Sequence, residues 1–172
     1  MKLHLGCGHR HLDGWLNIDA RMDVNADLVA DITNLTSFED GETEIIYACH
    51  VLEHIPRPQV GEVLGHWHRI LKPGGVLRIA VPDYGAAVTL YSGGVPIQRL
   101  IGPLYGRQNA AWNTHYICYD WHLLCLYLSE AGFYGMKHWI PALVHPAGYD
   151  DYSFAEIDGV PISLNVEAIR GQ

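Results

Sequence analysis

Apolar positions fall along this chain in two rhythms. In the first half, short apolar runs are separated by polar, glycine-bearing connectors. Residues 2–5, 16–19, 27–31, 44–49 and 76–81 read as five strands. The run Ile45-Ile46-Tyr47-Ala48-Cys49 lacks polar alternation, which fits a strand covered on both faces of a parallel sheet. The second rhythm is helical. Val60, Val63, Leu64, Trp67, Ile70 and Leu71 make one apolar stripe, and Lys72-Pro73-Gly74-Gly75 stops it. Another helix is expected over 120–131, capped by Asp120, ended by Gly132, and apolar on nearly all sides, hence well buried. Two tail strands follow, over 134–140 and 162–169. The alternation predicts an α/β fold with a doubly wound parallel sheet in one domain, 1–172.

The connectors carry their own message. Ten residues separate Gly8 from Asp19 and seven separate Asp19 from Asp27. A parallel crossover normally takes a dozen or more, usually as a helix. Helices are therefore expected to be reduced around the first three strands. One sheet face there should be thinly covered, a surface for a second copy or a partner subunit. Residues 82–114 are rich in Gly and Tyr with weak periodicity, and read as an insertion with one short helix near 86–91.

Bulk numbers narrow the function. The 172 residues are 49% hydrophobic and 17% charged, with a formal net charge of -8. No basic stripe is present to neutralise phosphates, so no nucleic-acid partner is expected. No apolar run is long enough for a membrane span and no signal-like start is visible, which gives a cytoplasmic expectation. The four cysteines (Cys7, Cys49, Cys118, Cys125) form no C-x-x-C pair and read as small buried fillers.

The chemistry begins in the first twenty residues. A strand runs into Gly6-Cys7-Gly8, and a second strand ends on Asp19. Glycines let backbone approach a ligand closely, and a carboxylate there can accept both hydroxyls of a ribose. A nicotinamide site would want Gly-x-Gly-x-x-Gly with a helix entering at the third glycine, where this chain has His11. His50-x-x-Glu53-His54 matches the H-x-x-E-H pattern of zinc hydrolases. There the ligands must share one helical face. His50 follows a strand directly and Pro56 follows His54, so no metal is expected and this zinc reading is a minor alternative. The pairs His9-x-His11 and His66-x-His68 read as surface histidines.

Taken in order, Gly6-Cys7-Gly8, Asp19, Asp31, His50-Val51-Leu52-Glu53-His54, Arg69-Ile70-Leu71-Lys72-Pro73-Gly74-Gly75 and Pro82-Asp83 resemble the class I S-adenosylmethionine-dependent methyltransferases. The likeness is to the small type 11-like subgroup associated with sugar or polysaccharide biosynthesis. Ala131-Gly132-Phe133 and Ser163-Leu164-Asn165-Val166 add to it. The resemblance implies a Rossmann-like seven-stranded sheet in order 3-2-1-4-5-7-6 with the last strand antiparallel. It implies S-adenosylmethionine as cofactor, S-adenosylhomocysteine as product, and a small-molecule or saccharide acceptor. Leu5, Gly6, Cys7, Gly8, Asp19 and Ala20 are then expected around the methionine and ribose. Asp31 and the Ile32 N–H would meet the adenine, and Cys49, His50 and His54 would line the methionine end.

Two departures matter. His9-Arg10 stands where many members have a third small residue. The sequence begins at the first strand, so a lid is expected from the 82–114 insertion, from another subunit, or not at all. Methyl transfer to an amine or hydroxyl releases a proton, for which His50, Asp83, His115 and Asp120 are candidates, with His115 and His50 favoured. Tyr84, Tyr91, Tyr105 and Trp112 read as core or as an aromatic wall for a sugar ring. The alternative of a different class is a non-catalytic S-adenosylmethionine-binding subunit or scaffold.

Overall fold

A computed structural model describes residues 1–110 and 112–172. Position 111 of the expected insertion lies outside the described residues. Strands β1 (Lys2–Leu5), β2 (Leu16–Asp19), β3 (Leu28–Val29) and β4 (Thr43–Cys49) lead into helix α1 (Val60–Ile70) and the long strand β5 (Leu71–Pro82). Helices α2 (Tyr84–Ser92), α3 (Ile97–Tyr105) and α4 (Trp121–Glu130) follow. The tail holds β6 (Phe133–His138), the short helix α5 (Pro141–Val144), the small hairpin β7 (Glu156–Ile157) and β8 (Val160–Pro161), and β9 (Ser163–Arg170).

The main sheet has seven strands in the order β3-β2-β1-β4-β5-β9-β6. The first five pair in parallel. β9 runs antiparallel to both β5 and β6. This is the expected doubly wound α/β sheet with its last strand reversed. On one face, Leu3, Leu5, Ile18, Ile46, Ala48, Leu77, Ile79 and Val81 meet the apolar stripe of α1 and Leu124 and Leu128 of α4. Alternation along each strand sends the neighbouring side chains to the opposite face.

That opposite face corrects the expectation of a bare surface. Among the described residues, no helix lies in the connectors between β1, β2 and β3, as their lengths require. Yet His4, Asn17 and Tyr47 are buried, because Leu12, Trp15 and Trp139 close over them. Asn17 does much of the holding. Its side-chain amide donates to the carbonyls of Leu12 and Trp15 at 3.1 Å and to the Asp27 carboxylate at 2.8 Å, while its oxygen accepts from the Leu12 N–H. One buried amide thereby fixes both short crossovers. The second subunit was inferred from an exposed face, and the chain's own loops occupy that face.

Other boundaries also differ. β3 spans two residues rather than 27–31: the Asp27 and Ala30 N–H groups still donate to the Asn17 and Asp19 carbonyls of β2, and Asp31 opens a turn in which its carbonyl accepts from the Asn34 N–H. β5 starts at Leu71, not at residue 76. The Lys72–Gly75 stretch is a bulge within the strand, and the pairing with β4 shifts between Thr43 and Ile45. The insertion holds two helices where one was expected, α2 capped by the Asp83 carboxylate accepting from the Ala86 N–H. Helix α4 buries only Leu124 and Leu128, and Leu126 is half exposed, so its apolar sequence overstated its burial. His68 is half-buried against Phe133, not a surface residue.

Candidate active site

The carboxyl ends of β1, β2 and β4 lie side by side, because β1 pairs with both others. Strand order reverses beside β1, the place where open α/β sheets leave a crevice. The chain leaves β1 through a turn with Gly6 at φ 64° and Gly8 at φ 55°. A Cβ at Gly6 would stand 2.4 Å from Val51 Cγ2. Gly6 is therefore required by packing as well as by its left-handed backbone. At Gly8 the close neighbour of such a Cβ among the described residues is the Arg21 guanidinium, 3.4 Å away.

Asp19 ends β2 and is buried. Its Oδ2 accepts from the Gly8 N–H at 2.8 Å, which locks the carboxylate to the glycine turn. Its Oδ1 accepts from the Arg21 N–H at 2.9 Å and from Arg21 Nε at 3.4 Å. The Arg21 guanidinium lies 4.5 Å from the ring of Trp112. A layered cover results: Asp19 below, Arg21 above it, and Trp112 of the insertion on the outside. The sequence placed Asp19 and the glycines together and gave no sign of Arg21 or Trp112 over them. Leu5 and Cys7 are buried, Ala20 is exposed, and burial pushes the Cys7 thiol up to about 11, out of nucleophilic range.

Asp31 is exposed, and its Oδ1 accepts from both the N–H and the hydroxyl of Thr33. It is a turn carboxylate with its other oxygen free. The Ile32 carbonyl accepts from Trp67 Nε1 at 3.0 Å, which ties this turn to α1.

At the end of β4, His50 has φ 52°, an uncommon conformation for a residue with a side chain. Ser163 donates its hydroxyl to Asn165, so its oxygen accepts from His50 Nε2–H at 3.1 Å. His50 Nδ1 then faces Glu53 Oε1 at 3.4 Å. Burial holds His50 down at about 3, helped by His115 and offset in part by Asp151. Two histidines meet beside it, the rings of His54 and His115 lying 4.8 Å apart. Burial lowers both, His115 to about 4 with His54 contributing. Both rings are neutral at physiological pH. Glu53 is fully buried beneath them, and burial pushes it up to about 8. The sequence named Glu53 only within the zinc-hydrolase pattern. The signal available was a lone acid flanked by Leu52 and Ile55 in a segment following a buried strand.

The remaining candidates divide plainly. Asp83 and Asp120 are helix caps, each accepting from a backbone N–H of its own helix. Cys49 is half-buried in β4, and its neighbours and burial raise its thiol well above the ordinary range. Tyr84, Tyr91, Tyr105 and Trp112 are exposed, which corrects the core reading. A cavity of about 360 Å³ is lined by Trp139, Phe154, Ser163 and Asn165 among others, and its Ser163 is the hydrogen-bond partner of His50. Among the described residues, no helix is long and apolar enough to cross a membrane.

The strand order, the reversed last strand and a carboxylate at the end of β2 together define the Rossmann-like fold used by class I methyltransferases. Residues 15–79 match the family profile of a methyltransferase domain. A SAM-dependent methyltransferase from Archaeoglobus fulgidus superposes with a TM-score of 0.65 at 16% identity, covering 98% of this chain and 85% of that one. A SAM-dependent methyltransferase from Thermotoga maritima gives 0.66 at 13% identity, over 98% and 81%. A chain from the Haloferax volcanii complex between a methyltransferase activator and a methyltransferase gives 0.61 at 13% identity, over 99% and 82%. No curated protein matches the chain.

Proposed function

We propose that this chain is an S-adenosylmethionine-dependent methyltransferase acting on a small-molecule or saccharide acceptor. The observation that carries the reading is Asp19, a buried carboxylate at the end of β2 fastened to the Gly8 N–H. The residues suit the cofactor. Asp19 keeps acceptor capacity for ribose hydroxyls once Arg21 swings aside, and a Gly8 without a side chain leaves the turn open. Leu5, Gly6, Cys7 and Ala20 frame that end, and Asp31 Oδ2 with the Ile32 N–H face the base. Cys49, His50 and His54 border the methionine end. When bound, the cofactor supplies a methyl group on a positively charged sulfur. The chain's own part is to align the acceptor and to receive its proton.

His115 or His50 takes that proton. Both are neutral rings, and His115 keeps Nε2 free because its Nδ1 donates to the Pro103 carbonyl at 3.0 Å. The acceptor enters by the cavity beside His50, where Trp139 and Phe154 offer aromatic faces. The chain forms one domain over 1–172, and its insertion at about 83–114 supplies the cover through Trp112, with His115 directly after it. No second subunit is required for that cover.

The test is transfer of labelled methyl from S-adenosylmethionine to a panel of saccharides, hydroxyl compounds and amines. The expected result is label in one acceptor class, reduced at least about a hundredfold by His115→Ala with S-adenosylhomocysteine binding retained. Cofactor binding with no transfer to any acceptor would favour a non-catalytic binding subunit instead.

A further inference from the structure

Three side chains converge where the end of the insertion folds over the turn after β4. His54 Nδ1 lies 3.1 Å from the Thr114 carbonyl, and His115 Nδ1 lies 3.0 Å from the Pro103 carbonyl. A carbonyl oxygen only accepts, so Nδ1 carries the hydrogen in both rings and Nε2 is the lone pair each has to offer. The Glu53 carboxylate is fully buried, and neither of its oxygens has a hydrogen-bond partner among the described residues. One ligand atom from each of Glu53, His54 and His115 lies within 4.8 Å of those of the other two. His50 Nδ1, whose own hydrogen sits on Nε2, adds a further lone pair at 3.4 Å from Glu53.

A buried carboxyl group surrounded by acceptors must hold either a proton or a cation. We propose that Glu53, His54 and His115 bind one divalent transition-metal ion of the zinc class. Two imidazoles and a carboxylate suit zinc and its neighbours, whereas magnesium and calcium require oxygen ligands. Three protein ligands leave a coordination position for water or for a donor atom of a bound molecule. Bonds of about 2.0–2.2 Å in a tetrahedral site draw the ligand atoms to about 3.3–3.5 Å apart, which asks for shifts of about 1 Å. The outer shell is already built, since both rings are oriented by backbone carbonyls in the manner of metal-binding histidines.

This site differs from the H-x-x-E-H reading of the sequence. His50 is turned toward Ser163, and His115 arrives from the insertion, sixty-one residues after His54 in the chain. The proposal does not rest on methyl transfer. With an ion on His115 Nε2, His50 is the ring left to take the acceptor proton; in the metal-free protein His115 keeps that role.

The test uses full-length, tag-free protein treated with a chelator and then titrated with zinc chloride in a calorimeter, with cobalt(II) as a visible-absorption probe. The expected result is one ion per chain and tetrahedral cobalt bands. His115→Ala should weaken zinc at least about tenfold and abolish the bands, and Glu53→Gln should do the same. His66→Ala, on α1, should leave both unchanged. If Glu53→Gln does not fold, His115→Ala decides alone, because that ring is half-buried and lies outside the sheet. Sub-stoichiometric zinc, or binding that survives His115→Ala, overturns the proposal; so does a carbonyl infrared band that shows Glu53 still protonated after zinc has been added.

Discussion

His4 shows how one residue on the sheet's less helical face sets a pH dependence. It is buried, and its Nδ1 meets Asn17 Oδ1 at 2.9 Å, with Tyr47 stacked on the ring at a centroid distance of 5.2 Å. Burial lowers its pKa below 6.5, with His145 and His11 acting the same way and Asn17 and Asp151 opposing. Near neutrality the unfolded chain therefore binds more protons than the folded one. The sign follows: this stability is fully present above 6.5 and is lost as pH falls from 6.5 through the folded value. Denaturant midpoints measured from about pH 7.5 down to about pH 5.5 should fall with acid. In His4→Gln the slope should flatten by up to one proton, about 1.4 kcal/mol per pH unit. An unchanged slope would assign the acid sensitivity elsewhere.

Residues also divide by how far their chemistry is local. The glycine turn and Asp19 were legible because each depends on its own strand end. Asp83 and Asp120 were read as candidate acids, but a carboxylate just ahead of a helix has its nearest donors in that helix, and both serve there as caps. Glu53 was named only within the zinc-hydrolase pattern, and its burial went unread because three elements make it at once: the β4 end, the turn after it and the returning insertion. No spacing within the sequence encodes that meeting.

At the scale of elements, the insertion is the decisive piece. Its end delivers Trp112 over Arg21 and, three residues later, His115 against His54. The weak periodicity of 82–114 showed the short helix near 86–91, which is α2, and hid α3; the partners of both are Ile157 of β7 and the adjoining Ala155 and Ile162. Such distant partners leave no local pattern. The short crossovers, in contrast, were legible from length alone, and the loss of helices around β1 to β3 followed. What length could not reveal was Asn17 binding those loops down onto the sheet. If Arg21 and Trp112 form a movable cover, a ligand reaching Asp19 must break their stack. S-adenosylhomocysteine should then change tryptophan fluorescence, and Trp112→Phe should remove most of that change although Trp15, Trp67, Trp121 and Trp139 remain. A full-sized change in Trp112→Phe would mean the cover stays in place.

For the molecule as a whole, the α/β class was readable from the alternation of runs, and the strand order was what the resemblance carried by the ordered motifs implied. The solved structures similar to this chain share its fold at 13–16% identity, which leaves chemistry to be argued from the site itself. The site offers an acidic grip at the glycine turn, neutral imidazoles near the β4 end and a cavity with aromatic walls beside them. All of this depends on whether an adenosyl group enters above Gly8. The most direct measurement is calorimetric titration of S-adenosylhomocysteine into the wild-type protein and into Asp19→Asn. One binding site per chain is predicted, weakened by about ten- to a hundredfold in the variant through loss of charge-assisted hydrogen bonds to the ribose. No heat of binding in the wild type, or equal affinity in both proteins, would contradict the account.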